Sequence, residues 1–215
     1  MEQLKKSTKS SLFKFILWVA IFFTLIRLFE IQIINSPFIF FYHPFLVAIF
    51  YGLIILVIIS LIYWIRNEEK VRFPFVPFFV SVFALAVFNL FPFTSLTLHI
   101  DFYLKESRRE EIVEMIYSNK INYDSTRLNR EKIEEKYADL SAGLPEVEVE
   151  KINGEIFILF YTFSGLTDNS AGFVYVPDEK VISQIKLGKF GQSRIFYNPI
   201  EITKFADHWY FVSNT

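Results

Sequence analysis

The stretch from Phe45 to Ile65 reads FLVAIFYGLIILVIISLIYWI and contains no charged residue. A helix that crosses the hydrocarbon core of a bilayer needs about 20 predominantly apolar residues, so this segment is long enough for one crossing. Two similar stretches lie on either side of it: residues 73–98 also carry no charge, and residues 12–35 are nearly as apolar. The sequence therefore predicts three transmembrane helices, at residues 12–34, 45–65 and 74–97.

The rest of the chain, residues 99–215, contains no comparable stretch and has the length of a single domain. Residues 1–98 hold 8 basic and 4 acidic residues, whereas residues 99–215 hold 14 basic and 19 acidic residues. Nucleic-acid binding depends on Lys and Arg that pair with phosphates, so a mildly acidic domain argues against a nucleic-acid partner. The same charge argues against electrostatic docking on anionic lipid.

The residue types that carry common catalytic chemistry are scarce. The chain has no cysteine, which excludes disulfides, thiolate metal sites and a thiol nucleophile. It has three histidines, His43, His99 and His208, and they follow no metal-ligand spacing. There is no HExxH motif, no glycine-rich phosphate loop and no GxSxG motif. We therefore expect neither a cofactor nor a metal site.

The distribution of basic residues predicts the orientation in the membrane. The tail before the first apolar stretch and the segment 66–72 are both rich in Lys and Arg, whereas residues 35–44 contain none. Because cytoplasmic loops carry the excess of positive charge, we expect a cytoplasmic N-terminus and a C-terminal domain outside the cytoplasm. No small-x-small cleavage site follows the first stretch, so we expect an uncleaved span and a multi-pass protein of the plasma membrane.

Among the polar residues within the apolar stretches, Arg27, Glu30 and Asn89 are the candidate functional residues. Arg27 and Glu30 are three positions apart and so share a helix face. They could form a proton or ion relay or a contact to a partner helix, but we favour an ion pair near the outer interface, where Arg can extend toward water. Asn89 is expected to hydrogen-bond a neighbouring helix. Pro92 is expected to kink the third helix near its outer end.

The C-terminal domain is predicted to be α+β, with a helix packed across an antiparallel sheet. Asn153-Gly154 between two apolar runs predicts a hairpin of residues 147–152 and 155–163. Helices are expected at residues 107–119, with Ser107 as the N-cap, and at 129–137. Further strands are expected at residues 173–176, 180–186, 194–197 and 208–212.

Two segments of this domain are candidate binding sites. Asp168 and Asn169 lie in a small, polar loop between two apolar strands and could bind a cation, a sugar or a peptide end, although an ordinary Asx turn is the simpler interpretation. Trp209 and Phe211 lie on the same face of the last predicted strand and could form an exposed aromatic surface for a partner. As an edge strand, this segment could also pair with a strand of a partner. Core packing on both faces is the simpler interpretation here.

These features together favour a membrane-anchored interaction protein that is not an enzyme. Its extracytoplasmic domain would bind a protein partner or ligand, in the role of an accessory subunit, a sensor or an immunity protein, and the helices would contact lipid, a partner or a second copy of the chain. One alternative is an enzyme acting on lipid or envelope polymer at the membrane surface through His43, His99 and Asp101. Another is a small channel or transporter subunit that depends on Arg27, Glu30 or Asn89.

Overall fold

A computed structural model describes residues 2–35, 39–69, 71, 73–123, 130–142, 144–164, 170–187 and 193–215. The chain forms two compact units, Met1–Thr97 and Leu98–Thr215. The described part of the first unit is helical, and the second unit contains a six-stranded sheet. Helices followed by an antiparallel sheet is the layout that the predicted fold class gave to the two parts of the chain.

Among the described residues, the apolar half of the chain forms the helices α1 (Glu2–Leu28), α2 (Glu30–Ile34), α3 (Ile39–Asn67), α4 (Val76–Leu90) and α5 (Phe93–Tyr117). The helical segments Ser11–Leu28 and Phe40–Asn67 are each long and apolar enough to cross a membrane. Helix α5 starts in the first unit and continues into the second.

The third apolar stretch forms two helices. Helices α4 and α5 are bent by 61° at the break between them, and together they are apolar enough for one broken crossing. Proline lacks an amide hydrogen and disfavours helical geometry in the residue before it, and Phe91 is accordingly extended, with ψ of 130°. Helix α4 alone is about 22 Å long, shorter than the roughly 30 Å of a hydrocarbon core. The kink expected at Pro92 is therefore a complete break.

The first two predicted spans also differ from the observed helices. The first is interrupted at Phe29, between α1 and α2. Helix α3 already begins at Ile39, so much of the predicted loop 35–44 is helical. Aromatic residues in this segment extend the apolar helix, and Pro44 lies near its start, where a missing amide costs a single backbone hydrogen bond.

Helices α3 and α4 pack through a serine pair. The Ser60 hydroxyl donates to Ser81 Oγ at 3.1 Å, and both side chains are buried. The Ser81 hydroxyl in turn donates to the Pro77 carbonyl oxygen of its own helix at 2.8 Å. Small side chains allow two helix backbones to approach closely, and the hydrogen bond fixes their register.

The second unit is built on an antiparallel sheet whose strands follow the order β1-β2-β3-β4-β6-β5. Neighbouring strands pair antiparallel throughout, and most neighbours are consecutive in sequence. The strands are β1 (Arg130–Lys132), β2 (Glu146–Ile152), β3 (Glu155–Ser164), β4 (Ser170–Tyr175), β5 (Pro199–Ala206) and β6 (Trp209–Asn214).

The predicted hairpin of β2 and β3 is confirmed. Ile152 pairs with Glu155, so the turn consists of two residues, Asn153 and Gly154. Their φ angles are 53° and 92°, in the left-handed region that this tight turn requires at both positions. Asn and Gly adopt that region at low cost, which is why this dipeptide predicts the turn so well.

Helical segments cover both faces of the sheet. On one face, Phe102 of α5 contacts the rings of Phe173 and Trp209, with centroid distances of 5.1 and 5.7 Å. On the other face, helix α6 (Lys180–Lys186) places Ile182 and Ile185 in an apolar cluster with side chains of β3, β4 and β6. Both faces of the central strands are therefore core.

Several predicted elements of this unit are wrong. Residues 180–186 form α6 instead of a strand, and residues 194–197 form turns. The predicted helix 129–137 is replaced, within the residues described, by β1 and a 3-10 helix, Glu135–Leu140. Ser107 lies in the middle of α5 and caps nothing, because the helix has already begun at Phe93.

Strand β5 was not predicted and lies at one edge of the described sheet. Its register against β6 shifts twice, between Pro199 and Glu201 and between Lys204 and Ala206. Such irregularities place an extra residue in one strand and bend it locally. The opposite edge is β1, which has three residues.

Candidate functional site

Four side chains from separate helices form a polar cluster in the first unit: Arg27, Glu30, Tyr42 and Thr94. Arg27 Nη1 lies 3.0 Å from Glu30 Oε2, across the break that separates α1 from α2. The Thr94 hydroxyl, in the first turn of α5, donates to the same oxygen at 3.2 Å. Arg27 Nη1 also donates to the Tyr42 hydroxyl of α3 at 3.4 Å. The predicted pairing of Arg27 with Glu30 is thus present, within a larger set.

Aromatic rings surround the charged end of this polar cluster. The Arg27 guanidinium lies 5.8 Å from the ring centroid of Phe88 and 5.6 Å from that of Phe93. A cation over a ring face is attracted by the ring quadrupole, most strongly where water is excluded. The cluster carries one positive and one negative charge, so it is neutral overall, and an apolar environment tolerates a neutral pair better than an isolated charge.

The polar cluster ties helices together. Its hydrogen bonds join the end of α1, the start of α2, the start of α3 and the first turn of α5. Asn89, the third predicted intramembrane residue, does not belong to it. Its amide donates to the Leu85 carbonyl of its own helix at 2.8 Å, and its side chain is exposed. Within the described part of the chain, the hydrogen bond of the Asn89 amide is thus to its own helix and not to a neighbouring one.

A buried arginine lies at the centre of the second unit. Arg109 is 1% exposed, and its Nη2 is 2.6 Å from Asp101 Oδ2. Its guanidinium is also 4.6 Å from the Phe173 ring centroid. Lys105 Nζ holds the other Asp101 oxygen at 2.5 Å. Burial lowers the pKa of Arg109, and the neighbouring Asp101 carboxylate opposes that shift.

Asp101 is one of the groups considered for an enzyme. Both of its carboxylate oxygens form ion pairs, one with Lys105 one helical turn away and the other with Arg109 two turns away. A second arginine extends this network to the 3-10 helix. Arg108 binds both oxygens of Asp139, at 2.7 and 2.8 Å, and lowers the pKa of that carboxyl through these hydrogen bonds. The network fixes α5 to the segment before β2.

A second buried acid lies at the opposite face of the sheet. Glu148 is 3% exposed and accepts a hydrogen bond from the Tyr161 hydroxyl. Its other oxygen is 3.2 Å from Arg194 Nη1, and the Arg130 guanidinium lies 4.4 Å from the Tyr161 ring centroid. Burial, and then the charge of Glu148, raises the pKa of Tyr161 well above its usual range. The tyrosine is therefore a proton donor to the carboxylate at neutral pH.

Glu150, two residues further along β2, holds the chain that follows α6. It accepts hydrogen bonds from the Ser193 hydroxyl at 2.7 Å and from the backbone amides of Arg194 and Ile195 at 3.2 and 3.3 Å. Sequence reasoning missed both acids, because the alternation of Glu with Val in β2 is typical of a strand with one face in water. Here the segment around Ser193 covers that face.

The predicted binding residues of this unit have different outcomes. Asp168 and Asn169 lie outside the described residues. Trp209 and Phe211 are 1% and 7% exposed, so their interpretation as an exposed aromatic surface is wrong. Strand β6 also lies between β4 and β5 and is not an edge strand. The alternative interpretation, core packing on both faces, is confirmed, since Tyr210 belongs to the apolar cluster of the other face.

The histidines occupy separate environments within their units. His43 is exposed on α3. The His99 ring lies 4.4 Å from the ring of Phe205, measured between centroids. His208 occupies the turn between β5 and β6 with φ of 65°, and its Nδ1 lies 3.1 Å from the Val176 oxygen. Among the described residues, no group of three His, Asp or Glu side chains could hold a metal ion.

The second unit exposes two large side chains where β5 begins. Tyr197 and Ile200 are 58% and 67% exposed, and they flank Asn198 and Pro199. The Asn198 amide donates to Thr215 Oγ1 at 3.0 Å, which fixes this corner to the C-terminal end of β6. An aromatic and an aliphatic side chain held outward on a fixed turn can contact a partner.

Comparison of the chain with family models, with curated proteins and with solved structures finds no match. A functional proposal therefore depends on the polar cluster, the exposed helix surfaces and the exposed corner of the sheet.

Proposed function

We propose that the protein is a membrane-anchored interaction protein. Helices α1 and α3 and the broken pair of α4 and α5 hold it in the plasma membrane, and the second unit binds a protein partner or ligand. The observation that carries the proposal is the exposure of the apolar helices. Only 6% of Ser11–Leu28, and 17% of an apolar 18-residue window within Phe40–Asn67, is buried within the protein. Surface of this kind is unfavourable in water, so lipid or other helices must cover it.

The polar cluster supports anchoring more than conduction. Arg27 and Glu30 form an ion pair. They also form hydrogen bonds with Tyr42 and Thr94, so their charges are compensated within the protein. A transport role would need polar groups that continue across the helices, and Asn89 bonds its own helix instead. A buried ion pair near a helix end has a low free-energy cost in lipid and can fix the positions of the helices that it joins.

The exposed corner of the sheet supports the binding part of the proposal. Aromatic residues are enriched in the centres of protein interfaces, because they bury a large area for little loss of conformational freedom. Tyr197 and Ile200 provide such a centre in place of the buried Trp209 and Phe211. Tyr197 lies just before the edge strand β5 and Ile200 lies near its start, a position that makes both accessible to a folded partner.

The proposed orientation places the N-terminus in the cytoplasm and the second unit outside it. It is supported by the basic residues of the N-terminal tail. Because the chain has no cysteine, Thr215→Cys creates a single thiol. In intact cells, a membrane-impermeant maleimide should label this variant, and a Ser7→Cys variant should react only after the cells are lysed. The reverse pattern would contradict the orientation.

The binding proposal is tested by mild-detergent purification of the tagged full-length protein from native membranes, followed by mass spectrometry. We expect a stoichiometric protein partner that is lost from the double variant Tyr197→Ser/Ile200→Ser. Leu144→Ser is the matched control, since Leu144 is 48% exposed elsewhere on the same unit. A homomeric species recovered equally from wild type and both variants would overturn the proposal.

A further inference from the structure

Helix α5 is apolar on two opposite faces in its first half. The inward face carries Phe102, which is fully buried against the sheet. The outward face carries four large apolar side chains whose exposure increases along the helix: Leu96 (37%), Ile100 (46%), Tyr103 (60%) and Leu104 (77%). We call these four residues the outer stripe. The packing of the second unit already satisfies the inward face, so the outer stripe requires a separate explanation.

The outer stripe is narrow and ends abruptly. At about 100° per residue, its four positions fall within an arc of about 100°, the width of the apolar face of an amphipathic helix. Further along α5, the same arc is occupied by the exposed residues Ser107, Glu111 and Glu114. The outward face therefore changes from apolar to polar over one turn, or about 5 Å, and is acidic from the next turn onward. A boundary this sharp is typical of a helix that passes from lipid into water.

The area of the outer stripe argues against a protein partner. Taking about 200 Å² for each fully exposed side chain, the four residues offer roughly 400–500 Å². A stable protein interface buries about 800 Å² on each partner. Lipid has no such minimum, because every apolar side chain inserted in it gains separately. Tyr103 near the polar end is also the residue type that favours the headgroup region.

We propose that the outer stripe of α5 lies in lipid, with the boundary to water between Leu104 and Ser107. The inference rests on the proposed membrane anchoring and extends it, since α5 is also the helix that packs across the sheet through Phe102. The second unit then has a membrane-binding surface of its own. This surface does not depend on basic residues for lipid binding, because apolar insertion contributes separately from electrostatic attraction.

The test uses single-cysteine variants of the full-length, cysteine-free chain in phosphatidylcholine vesicles. A nitroxide label is attached at Leu104→Cys, and power-saturation EPR measures its accessibility to oxygen and to a neutral nickel chelate. Oxygen concentrates in lipid and the chelate in water. We expect oxygen accessibility to exceed chelate accessibility several-fold at position 104. The matched control is Glu114→Cys on the same arc of α5, where we expect the opposite ratio.

A third label, at Ile58→Cys on α3, separates this inference from the anchoring on which it rests. Ile58 is 50% exposed in the middle of an apolar helix and should be oxygen-accessible in the bilayer. If position 58 is in lipid but position 104 behaves like position 114, the inference is overturned and the anchoring stands. If position 104 is shielded from both reagents, protein covers the stripe and the inference is also overturned. If position 58 itself is chelate-accessible, the anchoring fails.

Discussion

Replacing Asp101 with Asn removes the carboxylate that pairs with the buried Arg109. The guanidinium is 1% exposed, and its ion pair with Asp101 measures 2.6 Å. Removing one partner of a buried ion pair costs about 3–5 kcal/mol, because the other charge is left without compensation. Two contacts remain in the variant, the Phe173 ring at 4.6 Å and the Asp101 backbone carbonyl at 3.4 Å. We therefore expect a loss at the lower end, about 3 kcal/mol.

The assay follows unfolding of the second unit in the full-length protein. The chain has three tryptophans, Trp18, Trp64 and Trp209, and the last is buried in the sheet unit. In a Trp18→Phe/Trp64→Phe background, fluorescence therefore reports this unit alone. Urea titration in detergent micelles gives the free energy of unfolding from the red shift of Trp209 emission.

The control is the double variant Asp101→Asn/Arg109→Met, which removes the buried cation together with its partner. Apolar replacement of a buried ion pair is often close to neutral, so we expect the double variant to recover most of the loss. A free energy of unfolding for Asp101→Asn alone that lies within about 0.5 kcal/mol of the wild-type value would refute the reasoning. It would mean that the guanidinium reaches water and needs no partner.

Three further predictions concern other parts of the structure. Because burial raises the pKa of Tyr161 from its usual 10.0 in the folded state, the unfolded chain loses this proton first. Tyr161 should therefore contribute a loss of stability of about 1.4 kcal/mol per pH unit above pH 10, and Tyr161→Phe should reduce the slope by this amount in urea titrations. Gly172→Ala should destabilise the sheet by about 1–3 kcal/mol, since its Cβ would overlap the Phe160 carbonyl oxygen of β3 and lie 2.9 Å from the carbonyl carbon, whereas Gly52→Ala, which meets nothing within 4 Å, should be neutral; thermal melts measure both. Glu30→Gln should lower the melting temperature of the detergent-solubilised protein, because it removes the carboxylate that pairs with Arg27, and adding Arg27→Met should restore it. Equal melting temperatures for the wild type, the single variant and the double variant would contradict a role of this ion pair in holding the helices together.

The sequence predicts the coarse fold because its strongest signals are local. Long apolar runs identify the helices, and Asn153-Gly154 identifies the central hairpin. The sequence signals that mark the ends of helices are weaker. Ser107 and Glu110 match a capping box, yet α5 has already run for several turns before Ser107. The apolar end of the third stretch and the amphipathic helix of the second unit are one helix, and a change in hydrophobic pattern does not by itself end a helix.

Short segments are misassigned where residue type and residue spacing favour different structures. In residues 180–186, three β-branched residues favour a strand, whereas the spacing of Val181 and Ile182 from Ile185, four and three positions, fits a helix. The structure resolves this in favour of the helix α6, and the signal was present in Asp178, whose carboxylate accepts the Lys180 amide at 2.9 Å. Strand β5 alternates Ile and Phe with polar residues and could have been recognised in the same way.

The candidate sites show that the spacing of residues along the sequence predicts local contacts only. The Arg27–Glu30 pair follows from a separation of three residues. Thr94 joins the same polar cluster from 64 residues away from Glu30, and no local pattern predicts such a contact. The burial of Glu148 likewise depends on the chain around Ser193, which covers a face that alternation assigns to water. Long-range contacts of this kind require the tertiary structure.

The irregular edge strand β5 has a consequence for handling the protein. A long, flat sheet edge recruits strands from other chains and leads to fibrous aggregates. Pro199, the two register shifts and the charged Lys204 make β5 a poor template for such recruitment, and β1 offers three residues at the other edge. Precipitation of concentrated samples will therefore begin at the apolar helices. The choice of detergent or lipid, and not redesign of the sheet, will govern the yield of purified protein.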